Sequence, residues 1–198
     1  VETGASFQEG RAWMRVFING FGRIGRSVLR AYLQAPDRWQ GLEIAGINDI
    51  AAPEMCAYLF EFDSVFGPWH GAVALDGAAM VIDGRRIPLH RTPDLSTLDL
   101  RGVDLVLECT GRAEAREVAE RGLGAGAGRV LISGPSGAAD VTVVLGANDD
   151  RLQGQRIVSN ASCTTNALAP LARLIDERWG IVTGSMTTVH CYTGSQPT

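Results

Sequence analysis

Short apolar runs alternate along the chain with stretches in which apolar residues recur every three or four positions. The runs are typical of buried parallel strands, and the stretches between them are typical of amphipathic helices. Strands are predicted at residues 16–18, 42–47, 104–108, 129–132 and 156–159. Helices are predicted at residues 24–33, 53–60, 114–121 and from 162 onward. This alternation predicts an α/β fold with a Rossmann-type, doubly wound and mostly parallel sheet.

Two parts of the chain depart from this alternation. Residues 72–89 hold three short apolar runs separated by Asp76-Gly77 and Asp83-Gly84, which predict a small antiparallel meander inserted in the sheet. Residues 181–190 are rich in β-branched side chains and follow a helix closed by Gly180, which predicts a long strand. Gly122 is predicted to be the C-cap of the helix at 114–121.

Composition and charge exclude several classes of function. The 198 residues are 45% hydrophobic and have a net charge of −4 with no long basic run, so no nucleic-acid partner is expected. No apolar stretch approaches the roughly 18 residues of a membrane span, so no membrane partner is expected either. The four cysteines lie far apart with no C-x-x-C pair, which predicts a cytoplasmic protein with no metal site and no disulfide framework.

A glycine-rich hexapeptide lies between the first predicted strand and the first helix. In this G-x-G-x-x-G motif, Gly20 permits the tight turn, Gly22 lets a pyrophosphate approach the backbone, and Gly25 lets the helix pack against the sheet. Asp49 ends the next strand, 24 residues past the last glycine, where a carboxylate accepts hydrogen bonds from the ribose of an adenosine. An acid there repels a 2′-phosphate and Ile50 supplies no cation, so the predicted cofactor is NAD rather than NADP.

A cysteine and a histidine form the candidate chemistry. Cys163 follows a predicted N-cap, Ser162, at the start of a helix, where the helix dipole stabilises a thiolate. His190 ends the predicted strand after that helix, and a βαβ unit brings such a strand back beside the first. We therefore predict that the two side chains meet as nucleophile and base. The other cysteines are predicted to be small buried apolar residues, although Cys109 and Cys191 remain open to reactivity.

Six segments, in order, closely resemble glyceraldehyde-3-phosphate dehydrogenases. They are INGFGRIGR at 18–26, IND at 47–49, FDSVFG at 62–67, ECTG at 108–111, SNASCTTNALAP at 159–170 and TTVHCYTG at 187–194. The resemblance covers residues 15–198, and the ASCTTN segment is highly specific to that family. Members are tetramers of longer chains, so the resemblance implies an NAD-binding Rossmann domain (14–161) and an incomplete α+β catalytic domain (162–198). Residues 1–13 carry no apolar period and precede the first strand pattern, which predicts a disordered leader outside the fold.

The resemblance also implies a reaction and a set of roles. In such enzymes the cysteine matching Cys163 attacks an aldehyde, a hydride passes to NAD, and inorganic phosphate cleaves the resulting thioester to an acyl phosphate. The histidine matching His190 takes the hydroxyl proton and keeps the thiolate. Residues matching substrate- and phosphate-binding positions are Ser162, Thr164 and Thr193. Residues matching cofactor-binding positions are Gly20, Gly22, Arg23, Ile24, Gly25, Asp49, Arg91, Thr110 and Ser133.

The chain departs from the family pattern at a few positions. Ala113 replaces an aromatic residue after the ECTGR segment, Gly137 replaces a lysine, and Phe66 replaces a frequent histidine. Ser195 replaces an aspartate near the substrate phosphate, which leaves erythrose-4-phosphate dehydrogenase as an alternative. A truncated, non-catalytic nucleotide-binding fragment is a further alternative, because the resembled enzymes complete their site with residues beyond the first 198.

Overall fold

The computed structural model describes residues 13–190. The predicted leader at 1–13 therefore lies outside the described residues except for Trp13, as do Cys191, Thr193 and Ser195. None of the helices within 13–190 is both long and apolar enough to cross a bilayer.

Nine strands form a single sheet, and seven of them pair in parallel. Strands of the sheet are β1 (Met14–Asn19), β2 (Leu42–Asn48), β5 (Val73–Leu75), β6 (Ala79–Ile82), β7 (Arg85–His90), β8 (Leu105–Glu108), β9 (Arg129–Ile132), β10 (Val141–Thr142) and β11 (Ile157–Ser159). A separate hairpin joins β3 (Phe62–Asp63) and β4 (Gly67–Pro68). The sheet order is β10-β11-β9-β8-β1-β2-β7-β6-β5. After β1 the chain adds β2 on one side of β1, and it later adds β8 on the opposite side of β1. The direction of strand order therefore reverses between β1 and β8, and sheets of this type bind ligands at such a point.

Helices cover both faces of this sheet. They are α1 (Arg23–Gln34), α2 (Pro53–Glu61), α3 (Arg116–Ala119), α4 (Arg121–Gly124) and α5 (Cys163–Trp179), with three short 3₁₀ turns at Pro36–Trp39, Leu95–Thr97 and Asp149–Arg151. Val16 and Ile18 of β1 pack in one buried cluster with Leu29 of α1 and Phe60 of α2. Phe17 packs in a second cluster on the other face. Alternate residues of one strand therefore serve two cores, and the predicted doubly wound α/β fold is confirmed.

The antiparallel meander forms at the edge of the sheet. Strands β5, β6 and β7 pair antiparallel in sequence, and β7 also pairs parallel with β2. Asp83 and Gly84 join β6 to β7 with φ angles of 49° and 80°, as a two-residue hairpin turn requires. The predicted turns are confirmed, and the meander extends the parallel sheet rather than interrupting it.

The predicted helix at 114–121 is wrong in its bounds. The chain instead forms two single turns, α3 and α4, and Gly122 lies buried inside the second rather than at a C-cap. A Cβ on Gly122 would lie 2.9 Å from Val130 Cγ2 and 3.2 Å from Val106 Cγ2. The glycine therefore serves close packing of α4 on β8 and β9, which its position in the sequence does not reveal.

The predicted strand at 181–190 does not form. These ten residues are exposed and carry no strand pairing, and α5 ends as predicted at Gly180, with φ 75°. A strand is stabilised by a ladder with a neighbour, and none of the strands within 13–190 lies beside this segment. Of the predicted catalytic domain, the described residues form only α5.

A buried arginine fixes the end of α2 against α1. Arg30 is 3% exposed, and its guanidinium donates to the Phe60 carbonyl oxygen (Nη2, 2.5 Å; Nε, 3.2 Å) and to the Glu61 carbonyl oxygen at 3.2 Å. It also lies over the rings of Phe60 and Trp69. Cations at a helix C-terminus satisfy its free carbonyl groups and its dipole, so Arg30 is a structural residue.

Replacing this arginine is expected to weaken the fold. The Arg30→Met substitution fills much of the same volume but leaves the buried Phe60 carbonyl group without a donor. The Glu61 carbonyl oxygen keeps its bond from the Trp69 N–H, so the free energy of unfolding should fall by about 2 kcal/mol. Urea denaturation followed by circular dichroism measures the change. Arg38→Met is the matched control, since Arg38 is exposed and should cost under about 1 kcal/mol. Equal effects of the two substitutions would contradict this account.

Candidate active site

The three glycines of the loop differ in backbone conformation and in the space around each Cα atom. Gly20 has a φ of +92°, and Gly25 packs so closely that a Cβ there would lie 2.2 Å from the Gly20 carbonyl oxygen. At Gly22 a Cβ would meet nothing within 4 Å, so the backbone there faces open space. No side chain caps the N-terminus of α1. Free backbone N–H groups beside an open glycine suit the pyrophosphate of a dinucleotide.

Asp49 is held in place by backbone donors. Its Oδ2 accepts from the Phe21 N–H at 2.6 Å, and its Oδ1 accepts from the Ala51 N–H at 2.8 Å. A carboxylate has about four lone-pair sites, so these two bonds leave capacity for two ribose hydroxyls. The acid is half-buried and lines the adjoining groove, which fits the predicted ribose contact.

A groove of about 220 Å³ opens at the carboxyl ends of β1, β2 and β8. The smallest drug-sized pockets have a volume of about 300 Å³, and this groove is smaller, so it suits part of a dinucleotide rather than all of it. Of the predicted cofactor residues, four line it: Gly20, Gly22, Asp49 and Thr110. The other lining residues are Asn19, Asn48, Ile50, Thr92, Pro93, Leu95, Cys109, Arg112, Val118 and Arg121.

The remaining predicted cofactor residues lie around this groove rather than in its walls. Arg23 and Ile24 are exposed in the first turn of α1, and Gly25 lies beneath them. Arg91 is exposed and donates through Nε to the Ile50 carbonyl oxygen at 3.0 Å. Ser133 follows β9, and its N–H donates to the Glu108 carbonyl oxygen at 3.0 Å. Their contacts with a cofactor stay a prediction.

Cys163 begins α5 and meets His190. Its Sγ lies 3.1 Å from His190 Nε2, and both side chains are exposed. The hydrogen bond from His190 holds the pKa of the Cys163 thiol below its ordinary value of 9.0, with a smaller contribution from the Thr164 backbone N–H. The two side chains meet as predicted, but the chain reaches His190 through an extended segment rather than a paired strand.

The polar side chains on either side of Cys163 already make local hydrogen bonds. Ser162 is the predicted N-cap, and its Oγ accepts from the Thr165 N–H at 3.1 Å. Thr164 is half-buried in the first turn and hydrogen-bonds the Cys163 thiol. Thr193 lies outside the described residues. The substrate-binding roles of these three residues remain predictions.

The other described cysteines lack this environment. Burial raises the pKa of Cys56 to about 11 and that of Cys109 to about 11, although a hydrogen bond from Ser133 opposes the shift at Cys109. Both thiols therefore stay protonated near neutral pH, which agrees with the small apolar role predicted for Cys56 and disfavours a reactive role for Cys109.

Removing the histidine should shift the titration of Cys163. Because His190 lowers the pKa of the thiol, thiolate persists to lower pH in the unaltered protein, and His190→Ala should move the inflection of alkylation upward toward about pH 8.5. The rate near pH 7 should fall about tenfold for each pH unit by which the inflection rises. Iodoacetamide labelling between pH 5 and about 10, read by mass spectrometry of the Cys163 peptide, measures it. His70→Ala, at an exposed histidine, should leave the profile unchanged.

Sequence reasoning missed residues that build the groove. Asn19, Asn48 and Glu108 are buried at the last positions of β1, β2 and β8, and two arginines, Arg112 and Arg121, line the wall beyond them. A polar residue at the end of each of three apolar strands was a signal available in the sequence. The arginines carry no such signal, because they lie on a loop and a short helix.

A Rossmann domain with an open glycine loop and an acid at the end of its second strand, followed by a cysteine hydrogen-bonded to a histidine, fits the class of NAD-dependent oxidoreductases. Comparison with known families agrees with this class. Residues 14–116 match the family model described as "Glyceraldehyde 3-phosphate dehydrogenase, NAD binding domain", and residues 162–198 match the model of the "Glyceraldehyde 3-phosphate dehydrogenase, C-terminal domain". The chain belongs to the glyceraldehyde-3-phosphate dehydrogenase family, and NAD is the cofactor that these matches indicate.

Curated relatives support the same assignment. The chain is 47% identical over 190 residues to a glyceraldehyde-3-phosphate dehydrogenase of Xanthobacter flavus, an alignment that covers 93% of this chain and 56% of the relative. It is 44% identical over 187 residues to the enzyme of Geobacillus stearothermophilus, covering 92% and 55%. It is also 44% identical over 187 residues to a cytosolic enzyme of Trypanosoma brucei brucei, covering 93% and 55%. The chain thus spans about half the length of these relatives.

Proposed function

We propose that this chain carries the NAD-binding domain and the nucleophile of a phosphorylating glyceraldehyde-3-phosphate dehydrogenase, which oxidises glyceraldehyde 3-phosphate to 1,3-bisphosphoglycerate. The observation that carries the proposal is the 3.1 Å contact between Cys163 Sγ and His190 Nε2, because it supplies both a thiolate and a proton acceptor. The dinucleotide groove at the ends of β1, β2 and β8 supports it.

The chemistry follows from these groups. The Cys163 thiolate adds to the aldehyde carbon and forms a C–S bond as the C=O π bond breaks. The proton that His190 holds at Nε2 moves to the oxygen, which becomes a hydroxyl hydrogen-bonded to His190. When NAD is bound, it supplies the acceptor for the hydride that leaves this carbon. His190 Nε2 takes the hydroxyl proton as the hydride leaves, and a thioester remains on Cys163. Inorganic phosphate then attacks the thioester carbon, the C–S bond breaks, and the thiolate is restored with an acyl phosphate as product.

The proposal includes partners and a compartment. The small-molecule partners are a sugar phosphate and inorganic phosphate, held by Ser162, Thr164 and Thr193. The protein acts in the cytoplasm, which is supported by relatives from Trypanosoma brucei brucei and Leishmania mexicana that are named cytosolic. The assembly proposed for the full-length protein is a homotetramer.

A kinetic assay tests the proposal. NADH formation from NAD and glyceraldehyde 3-phosphate should depend on inorganic phosphate and should be lost in Cys163→Ala. Erythrose 4-phosphate at equal concentration is the competing substrate, and a faster reaction with it would reject the proposed substrate in favour of the related dehydrogenase. Binding of NAD without any turnover would reject the catalytic part of the proposal and leave a nucleotide-binding module.

A further inference from the structure

A network of polar side chains, three of them buried, joins the strands under the groove. The Glu108 network comprises Glu108, Asn19, Asn48, Thr92 and Thr110, and its central members Glu108, Asn19 and Asn48 are 3%, 7% and 4% exposed. Four of the five, all but Glu108, line the groove. Glu108 thus lies behind a wall that it does not itself form.

The side-chain hydrogen bonds of this network are donated in one direction, from Asn48 to Asn19 and from Asn19 to Glu108. Asn19 Nδ2 donates to Glu108 Oε2 at 2.5 Å, and Asn48 Nδ2 donates to Asn19 Oδ1 at 2.8 Å. Asn48 also bonds both backbone groups of Thr92, since its Oδ1 accepts from the Thr92 N–H at 2.9 Å and its Nδ2 donates to the Thr92 carbonyl oxygen at 3.0 Å. Each amide therefore has a single orientation that satisfies both of its neighbours.

The other oxygen of Glu108 holds the opposite wall. Its Oε1 accepts from the Thr110 backbone N–H at 3.0 Å and from the Thr110 hydroxyl. Glu108 therefore faces a donor on each side, and only a group that accepts on both sides fits between them. An ionised carboxylate accepts on both sides, whereas an amide accepts on one side only.

We propose that Glu108 is a positioning residue for the dinucleotide groove, whose carboxylate sets the donor–acceptor direction of the Asn19–Asn48 pair and so holds the Thr92 loop and the Thr110 turn at the spacing that the adenosine half of NAD requires. This inference rests on the proposed function, because it assigns the groove to NAD. It goes beyond that function by adding a residue that touches neither cofactor nor substrate.

An isosteric substitution tests the direction of the network. In Glu108→Gln the new amide places its NH₂ against either Asn19 Nδ2 or the Thr110 N–H. Rotating the Asn19 amide by 180° relieves the mismatch with residue 108 but places the Asn19 NH₂ group against the Asn48 NH₂ group. Rotating the Asn48 amide as well relieves that contact but breaks both of its bonds to Thr92. One mismatch therefore remains in every arrangement, and the affinity for NAD and for ADP-ribose should fall about tenfold.

A second substitution should restore the match. When Asn19→Asp is combined with Glu108→Gln, the amide at position 108 donates to a carboxylate at position 19, which still accepts from Asn48 Nδ2. The net charge and the shapes are unchanged, so the double variant should bind NAD within about threefold of the unaltered chain. Asn19→Asp alone places two carboxylates together and should bind at least about tenfold more weakly.

Isothermal titration of the 198-residue chain and its variants with NAD and ADP-ribose measures these affinities, with Glu43→Gln, at an exposed acid of β2, as the control. Weak binding by both single variants and recovery in the double variant support the proposal. Unchanged affinity in Glu108→Gln, or no recovery in the double variant, overturns it while the proposed function stands. Absence of NAD binding by the unaltered chain overturns the proposed function and this inference together.

Discussion

Iodoacetamide at pH 7 is expected to alkylate Cys163 at least about a hundredfold faster than Cys56 or Cys109. The pKa of Cys163 lies below 9.0 and those of the other two are about 11, so the thiolate fractions at pH 7 differ by at least about two powers of ten. The more basic thiolates are intrinsically better nucleophiles, but burial of Cys56 excludes the reagent and the half-buried position of Cys109 restricts its access.

Peptide mapping by mass spectrometry after short labelling times separates the sites. The Cys163→Ser variant should lose the fast phase and keep the slow ones, while Cys56→Ser should keep the fast phase. Denaturing the chain before labelling should bring all the rates together, because the environments that separate the pKa values are lost. Comparable labelling of Cys163 and Cys109 in the folded chain would refute the assignment.

The Gly22→Ala substitution is expected to abolish measurable NAD binding without unfolding the protein. Gly22 has φ −70° and ψ −159°, which any residue adopts, and the added methyl group meets no protein atom within 4 Å. The unfolding midpoint should therefore stay close to that of the unaltered chain. The methyl group instead occupies the groove where the pyrophosphate approaches the backbone, so affinity should fall at least about a hundredfold.

The matched variant, Gly25→Ala, should lose stability first. A Cβ there would lie 2.2 Å from the Gly20 carbonyl oxygen, so α1 must move from β1 at a cost of about 3 kcal/mol. Thermal denaturation with and without NAD distinguishes the two variants. Gly22→Ala should keep the unfolding midpoint of the unaltered chain but show no rise when NAD is added, whereas Gly25→Ala should have a lower midpoint even without NAD. A large fall in stability for Gly22→Ala, or normal NAD binding by it, would reject the separate roles of the two glycines.

The order of strands and helices through β11 followed from the sequence. Period-2 and period-3.6 patterns report which face of an element is buried, and every strand predicted between residues 16 and 159 formed. Motif spacing likewise placed Gly20, Gly22 and Asp49 along one groove. The helix at 114–121 was misplaced because Gly122 packs against side chains of β8 and β9, a contact that lies outside its own local sequence.

The sequence by itself determined the parallel sheet, the glycine loop, the acid that ends β2 and the helix that begins at Cys163, because these depend on bonds and periodicities within a few residues. Only the tertiary structure decided the rest. Residues 181–190 form no strand, because a strand needs a neighbouring strand to pair with. His190 nevertheless contacts Cys163, which lies 27 positions earlier in the chain. The tertiary structure also joined Asn19 to Glu108 across 89 positions, since parallel strands distant in the chain end at one edge of the sheet.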